Sequence, residues 1–87
     1  MTSPQEPKHP AIAETIRSYR LKGGFTQEEV ALKAGINNSE ISNLERGIRN
    51  PKWETMKKVA KGLGVPCWEM VKHAEEIDRE QEAGADE

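Results

Sequence analysis

TQEEVALKAGINNSEISNLER, the stretch from Thr26 to Arg46, decides the fold of this chain. It opens with a capping box, in which the Thr26 hydroxyl accepts from the Glu29 backbone N–H and the Glu29 side chain reaches back. The letters NNSE resemble a second cap, with Asn37 in the capping position. Between the two lies Gly35, where a left-handed residue ends a helix at low cost. The stretch therefore predicts two short helices joined by a tight turn, the arrangement of a helix-turn-helix.

The apolar residues of this stretch predict which faces are buried. Phe25 can pack against Val30, and Ile36 against Ile41, as two hydrophobic staples. The small Ala31 permits close approach of the two helices, while Ile41 and Leu44 turn the inner face of the second helix toward a core. The opposite face is polar and suits base edges and phosphates in a major groove; it consists of Asn38, Ser39, Ser42, Asn43 and Arg46.

The region from about Ile12 to Val71 resembles the lambda-repressor-like helix-turn-helix family, also called the Cro or xenobiotic-response-element type. The resemblance is specific because several features occur in one order and spacing: Thr26-Gln27, Ala31, Gly35, Ile41, Leu44, Glu45-Arg46-Gly47 and Asn50-Pro51. It implies an all-α, five-helix DNA-binding domain with the helix-turn-helix at helices 2 and 3. The chain departs from the family pattern at Leu21, where a polar residue is usual, at Gly23, expected to loosen the end of helix one, and at Pro66-Cys67, which replaces a Ser-type cap.

Composition divides the chain into three parts. Residues 1–9 are polar and contain two prolines, which predicts a disordered arm. Residues 10–74 form the predicted DNA-binding domain, with Pro10 as the first residue of a helix. Residues 75–87 are an acidic tail that we expect to fray, although Ala74 and Ile77 could extend the last helix by a turn or two.

The later helices are predicted from apolar spacing. Trp53 begins the fourth helix, which is expected to end near Gly62 or Gly64. Pro66 begins the fifth, with Trp68 and Val71 directed inward. Both tryptophans lie on apolar helical faces, so core packing is favoured over stacking on nucleic-acid bases.

The net charge of −2 conceals two unlike regions. Residues 75–87 hold seven acids and one base, a net charge of −6. Residues 1–74 therefore hold twelve bases and eight acids, a net charge of +4. The predicted domain is mildly basic, which is compatible with a nucleic-acid partner.

Base readout is assigned to the polar face of the second helix of the motif, called the recognition helix from here on. Asn38 is the first choice because an Asn amide can bond adenine N6 and N7 together. Ser39, Ser42 and Asn43 follow on the same side. Asn37 could cap the helix or contact a base, and capping is the favoured interpretation because both uses need the same side-chain oxygen.

Phosphate contacts are expected around the two ends of the motif. Gln27 lies at a helix N-terminus, where free N–H groups and the positive end of the dipole favour an anion. The family resemblance gives the residue matching Gln27 the same role. Arg46, Arg49 and Lys52 flank the end of the recognition helix, with backbone N–H groups near Asn50. Four further lysines are interpreted as a solvated face: Lys57, Lys58, Lys61 and Lys72.

The family resemblance also implies a structural ion pair. In the family, a Glu at the position of Glu45 pairs with an Arg of the first helix, and Arg20 occupies that place here. Such a pair would hold helix one against helix three. It would also neutralise a carboxylate that would otherwise repel DNA phosphate.

Other classes of function find little support in the sequence. Cys67 is the single cysteine, and His9 and His73 lie at opposite ends, so no metal site and no cofactor are expected. No nucleophile–base set or phosphate loop suggests an enzyme. No apolar run approaches bilayer length and no signal-like segment opens the chain, so we expect a soluble cytoplasmic protein without a membrane partner.

The sequence thus predicts a sequence-specific transcriptional regulator of double-stranded DNA, most simply a repressor. We expect a homodimer on a palindromic operator, because one helix reads too few base pairs for useful specificity. The candidate dimer surface on helix five is Trp68, Met70 and Val71, although the same residues could instead close the core. The alternative is an antitoxin or adaptor whose acidic tail engages a protein partner.

Overall fold

Five helices make up the computed structural model, which describes residues 10–85, with side chains described as far as residue 81. They are α1 (Pro10–Gly23), α2 (Gln27–Ala34), α3 (Asn38–Glu45), α4 (Trp53–Leu63) and α5 (Cys67–Ala85). Residues 10–85 contain no strand, and the predicted all-α, five-helix fold is confirmed. The predicted N-terminal arm, residues 1–9, lies outside the described residues.

Every helix contributes one fully buried apolar side chain to the central core. Ile16, Val30, Ile41, Val59 and Met70, one from each helix in order, all have 0% of their surface exposed. Burying a side chain of this size stabilises the fold by about 1.5–3 kcal/mol. The core therefore depends on all five helices at once, since removing any one of them would uncover the others.

The ends of the helices follow the predicted caps, with one correction. Thr26 and Glu29 form a complete capping box, and Gly35 and Gly64 end α2 and α4 in left-handed conformations, with φ of 75° and 76°. Asn37 occupies the cap position of α3, but its side chain makes no capping hydrogen bond. The Asn37 carbonyl accepts from the backbone N–H groups of Glu40 and Ile41, as the main chain of a cap residue does with or without a side-chain cap. The predicted side-chain cap was therefore wrong.

α2 and α4 approach each other closely at Gly62. A Cβ atom placed on this buried glycine would lie 3.0 Å from the Ala34 Cβ, the Ala34 nitrogen and the Val30 carbonyl oxygen. Two of these three are backbone atoms, which cannot rotate away. Gly62 thus sets the distance between α2, the first helix of the motif, and α4.

Both tryptophans lie outside the core, contrary to the prediction. Trp53 is 61% exposed and Trp68 is 66% exposed. The first buried residue of α4 is Met56, and that of α5 is Met70. Each tryptophan lies in the first turn of its helix, before the first buried residue of that helix. Apolar character at the first turn of a helix does not show which side faces inward, and both rings were placed on the wrong side.

Residues 75–85 of the acidic tail continue α5 instead of fraying, as the alternative based on Ala74 and Ile77 predicted. Helix α5 extends to Ala85 and packs along α1 through a second apolar cluster of Ala11, Ala74 and Ile77. The boundary expected at residue 74 therefore falls inside the helix. Burial of Ile77 against α1 supplies stabilisation that the acidic composition of the tail did not reveal.

Polar contacts also join α5 to α1. The Tyr19 hydroxyl donates to Glu69 Oε2 at 2.9 Å, and the Tyr19 ring meets the His73 ring edge-on at 5.6 Å between centroids. The buried Thr15 hydroxyl donates to the Ala11 carbonyl oxygen at 2.8 Å and lies 3.2 Å from His73 Nδ1. Because the single Thr15 proton is used on Ala11, the His73 contact requires a proton on Nδ1. The spacing of apolar residues in the sequence gave no indication of these polar contacts between α1 and α5.

Gly23 accommodates an aromatic ring where a loosened helix end was expected. α1 includes Gly23, and a Cβ atom there would lie 2.7 Å from Cε2 of Phe25. Phe25 packs against the core, and the Lys33 ammonium lies 4.0 Å from the centre of its ring. The glycine thus lets the ring fold back over the end of α1. Leu21, the other departure from the family pattern in α1, is 58% exposed.

Candidate nucleic-acid interface

The outer face of α3 begins with two exposed polar side chains. Asn38 and Ser39 form the first turn of the helix and are both exposed. Ser42 and Asn43, one turn later, are half-buried. On the inner side, Ile41 and Leu44 are 0% and 2% exposed, which fixes the rotation of α3 about its axis. The groups available for hydrogen bonding are therefore concentrated at the N-terminal end.

Arg20 and Glu45 form an ion pair between α1 and the end of α3. Arg20 Nε donates to Glu45 Oε2 at 2.6 Å, and Nη2 donates to Oε1 at 3.0 Å. The two side chains are only 13% and 4% exposed. A third donor, Nη1, reaches the Phe25 carbonyl oxygen at 3.0 Å and so braces the link to α2. The hydrogen bonds to Glu45 raise the pKa of Arg20 above its ordinary value, against the opposing effect of burial.

Gln27 joins this pair, a contact that the sequence reasoning missed. Its Nε2 donates to Glu45 Oε1 at 3.1 Å, so one carboxylate binds side chains from both α1 and α2. A link between residues eighteen positions apart leaves no periodic signal in the sequence. As the first residue of α2, Gln27 still has its backbone N–H at the helix N-terminus, and an amide nitrogen carries a second hydrogen.

A basic rim follows the recognition helix. Arg46 is the C-terminal cap of α3, and Arg49, Asn50 and Lys52 follow in the loop before α4; all four are exposed. Arg49, Asn50 and Lys52 line a cleft together with Glu40 and Leu44 of α3. The structure thus places Arg49 and Lys52 beside Glu40 and Leu44 of α3, while Arg46 lies at the C-terminal end of the helix. The four lysines expected on a solvated face, Lys57, Lys58, Lys61 and Lys72, are also exposed.

The candidate dimer surface needs correction. Met70 is 0% exposed and belongs to the central core, so it cannot contact a second subunit. Val71 is half-buried and packs against the same core. Trp68, in contrast, projects from this part of α5. The alternative interpretation, in which these residues close the core, is therefore correct for Met70.

Competing kinds of site find no support in the described part of the chain. Among the side chains described between residues 10 and 81, His, Cys, Asp and Glu form no cluster of three suited to a metal ion. None of the helices described between these residues combines the length and apolar character needed to span a bilayer.

The fold and this surface define a class, the helix-turn-helix DNA-binding proteins. A helix-turn-helix family model matches residues 16–67, more than half of the chain. The chain therefore belongs to the lambda-repressor-like helix-turn-helix family, whose members are regulators of transcription and not enzymes.

Named relatives agree with this assignment. An uncharacterized helix-turn-helix transcriptional regulator, y4dJ of Sinorhizobium fredii, is 42% identical over 65 residues, covering 75% of this chain and 84% of its own. The cryptic phage CTXphi transcriptional repressor RstR of Vibrio cholerae is 40% identical over 64 residues. That match covers 74% of this chain but only 58% of the repressor. The crystal structure of the clp gene regulator ClgR from Corynebacterium glutamicum superposes with a TM-score of 0.83 at 28% identity, covering 93% of this chain and 87% of ClgR.

Proposed function

We propose that the chain is a sequence-specific transcriptional repressor that inserts α3 into the major groove of an operator. The observation that carries this proposal is the exposed first turn of α3, formed by Asn38 and Ser39 on a helix whose inner side is locked by Ile41 and Leu44. A helix held rigidly with hydrogen-bonding groups at its exposed N-terminal end matches the way recognition helices read base edges. The similarity to a named phage repressor supports repression over activation.

Exposure ranks the base-reading residues. Asn38 and Ser39 are the most accessible, so Asn38 would bond adenine and Ser39 either kind of base. Ser42 and Asn43 are half-buried and would contact the DNA closer to the rim of the groove. Asn37 makes no capping bond, so its exposed amide is also available at this end of α3.

Phosphate binding would come from both sides of the motif. Gln27 offers its backbone N–H and the second hydrogen of its amide, while Glu45 holds the side chain in place. Arg46, Arg49 and Lys52 would bind the backbone beyond α3, with the Asn50 main chain between them. The Arg20–Glu45 pair keeps the Glu45 carboxylate neutralised beside that backbone.

The repressor would act as a dimer in the cytoplasm, where the DNA is. Two copies of α3 would read half-sites about 34 Å apart on a palindromic operator. Trp68 is the proposed contact, because it is a large aromatic side chain 66% exposed on α5. Trp68→Ala should lower the mass observed in sedimentation equilibrium, whereas Trp53→Ala, a similarly exposed tryptophan on α4, should leave it unchanged.

Selection of bound duplexes from a random pool tests the central proposal. We expect one enriched palindrome, bound by the intact protein and lost with Asn38→Ala or Ser39→Ala. Ser18→Ala is the control matched to Ser39→Ala, since it also removes a serine hydroxyl, but from an exposed position on α1. Binding that ignores sequence and is indifferent to both substitutions in α3 would contradict sequence-specific recognition.

A protein partner is the second candidate function. The observation in its favour is that the acidic tail continues α5, which carries the exposed Glu75, Glu76, Asp78 and Glu80. An antitoxin or adaptor could present such a helix to a basic partner. A toxin gene beside this one would favour this hypothesis, as would a stable complex of the two purified proteins. An isolated repressor gene without such a neighbour would favour DNA alone.

A further inference from the structure

A shallow cleft separates the outer face of α1 from the end of α3. Its lining combines Pro10, Ala13, Glu14 and Arg17 of α1 with Glu45 and Arg46 at the end of α3. The four α1 residues recur at helical spacing, so they form one continuous face. Arg17 and Arg46 thus occupy opposite walls of the same cleft, and both are exposed.

The charges of this cleft favour an anion. Its deepest carboxylate, Glu45, is only 4% exposed and is already paired with Arg20. Among the described side chains, neither Arg17 nor Arg46 takes part in an ion pair. One exposed carboxylate, Glu14, remains on the α1 wall. Within the described residues, two guanidinium groups without an ionic partner therefore face one exposed carboxylate.

The position of the cleft identifies the anion. Arg46 directly follows the recognition helix and is the first cation of the basic rim, which continues with Arg49 and Lys52. When α3 lies in a major groove, this end of the helix meets the phosphates that border the groove. A guanidinium group can donate two parallel hydrogen bonds to phosphate oxygens, and two such groups can hold one backbone segment from both sides.

We propose that the Arg17–Arg46 cleft binds the DNA backbone, which makes Arg17 a phosphate-binding residue and α1 a third DNA-contacting element. The proposal rests on the DNA-binding function proposed above. Because the Arg20–Glu45 pair ties α1 to α3, the two walls are held together before DNA arrives, and little ordering is needed on binding. The contact would set the angle of α1 on the duplex without reading sequence.

Arg17→Gln tests the proposal through salt dependence. Binding of the enriched duplex is measured by fluorescence anisotropy from about 0.05 to 0.3 M KCl, alongside binding of a scrambled duplex. Loss of one phosphate contact should lower the slope of log affinity against log salt by about one unit. At about 0.15 M salt, this one-unit change in slope corresponds to roughly fivefold weaker binding, equal on both duplexes.

Two further variants serve as controls. Arg79→Gln makes the same change of residue and charge on exposed α5, and it should leave the slope unchanged. Glu14→Gln removes the exposed carboxylate of the cleft and should strengthen binding by roughly twofold. Circular dichroism should show unchanged helix content in all three variants, because Glu14, Arg17 and Arg79 are exposed and take no part in the core.

The outcomes separate this inference from the proposed function. If the intact protein binds neither duplex, DNA binding itself is wrong and the cleft proposal falls with it. If the intact protein binds and Arg17→Gln matches Arg79→Gln in slope and affinity, the cleft proposal alone is overturned. A loss confined to the enriched duplex would also overturn it, since a phosphate contact weakens both duplexes alike.

Discussion

The Arg20 guanidinium and the Glu45 carboxylate hold α1 against the end of α3 through two hydrogen bonds of 2.6 and 3.0 Å. The carboxylate also accepts from Gln27 of α2 at 3.1 Å, so three helices meet at one nearly buried group. The pair therefore acts on stability and on the DNA-facing surface together. It sets the position of α3 and removes a negative charge beside the proposed backbone contacts.

Removing one partner of this pair should be costly. Arg20→Ala leaves the Glu45 carboxylate nearly buried with only the Gln27 amide as a side-chain donor, and we expect the free energy of unfolding to fall by roughly 3 kcal/mol. Urea denaturation followed by circular dichroism measures the change. Arg20→Leu combined with Glu45→Leu should cost less than Arg20→Ala alone, because no charge is stranded. Full stability in Arg20→Ala would show that the pair contributes nothing.

The two helix caps of the motif should respond differently to alanine. Thr26 accepts from the Glu29 backbone N–H at 3.1 Å, so Thr26→Ala should lower the free energy of unfolding by about 1 kcal/mol. Asn37 makes no side-chain capping bond, and Asn37→Ala should cost only a few tenths of a kcal/mol. Thermal unfolding of both variants compares them directly. Equal losses would mean that Asn37 caps α3 in solution.

Gly62→Ala should destabilise the protein although alanine favours helices. Alanine is about 1 kcal/mol better than glycine in a helix interior, but its Cβ would press on Ala34 and on the Val30 carbonyl at 3.0 Å. Overpacking of this kind costs about 1–3 kcal/mol, so the net change should be a loss. The exposed neighbour Lys61→Ala is the control and should be nearly neutral in the same urea titration. A gain in stability for Gly62→Ala would show that α2 and α4 can separate freely.

Tyr19 should ionise above its usual range. Partial burial raises its pKa above 10.0, and the hydrogen bond to Glu69 and the negative charges of Glu69 and Glu76 raise it further. Since Tyr19 is the single tyrosine, the ultraviolet absorbance of tyrosinate reports it alone. Because the folded pKa exceeds the unfolded one, the stabilisation is complete below pH 10 and is lost as pH rises through the folded pKa.

Glu69→Gln separates the causes of this shift. The substitution removes the charge but keeps an acceptor oxygen, so the Tyr19 midpoint should fall while staying above 10.0 owing to burial. Lys61→Gln is a control far from the ring in sequence, and the midpoint should not move. A midpoint at the ordinary tyrosine value in the intact protein would contradict the packing of α5 on α1.

Local signals in the sequence predicted much of the fold. The Thr26 capping box, the left-handed Gly35 and the spacing of Ile41 and Leu44 depend on neighbours within one or two turns, and the structure shows each as expected. The two tryptophans were assigned wrongly because apolar character does not reveal whether a residue at a helix start faces inward. The expected fraying after residue 74 was wrong, and the alternative extension of α5 through Ala74 and Ile77 was right, because Ile77 packs against Ala11, sixty-six positions away in the chain.

The sequence by itself determined five helices, a helix-turn-helix and a polar recognition face, because caps and periodicity act over short distances along the chain. The tertiary structure decided which side chains from different helices lie close together and which are buried. It brought Gln27 to the Arg20–Glu45 pair, buried Met70, left Trp68 exposed and set Arg17 opposite Arg46. These contacts join helices distant in sequence, and their distances follow only from how the five helices pack around one core.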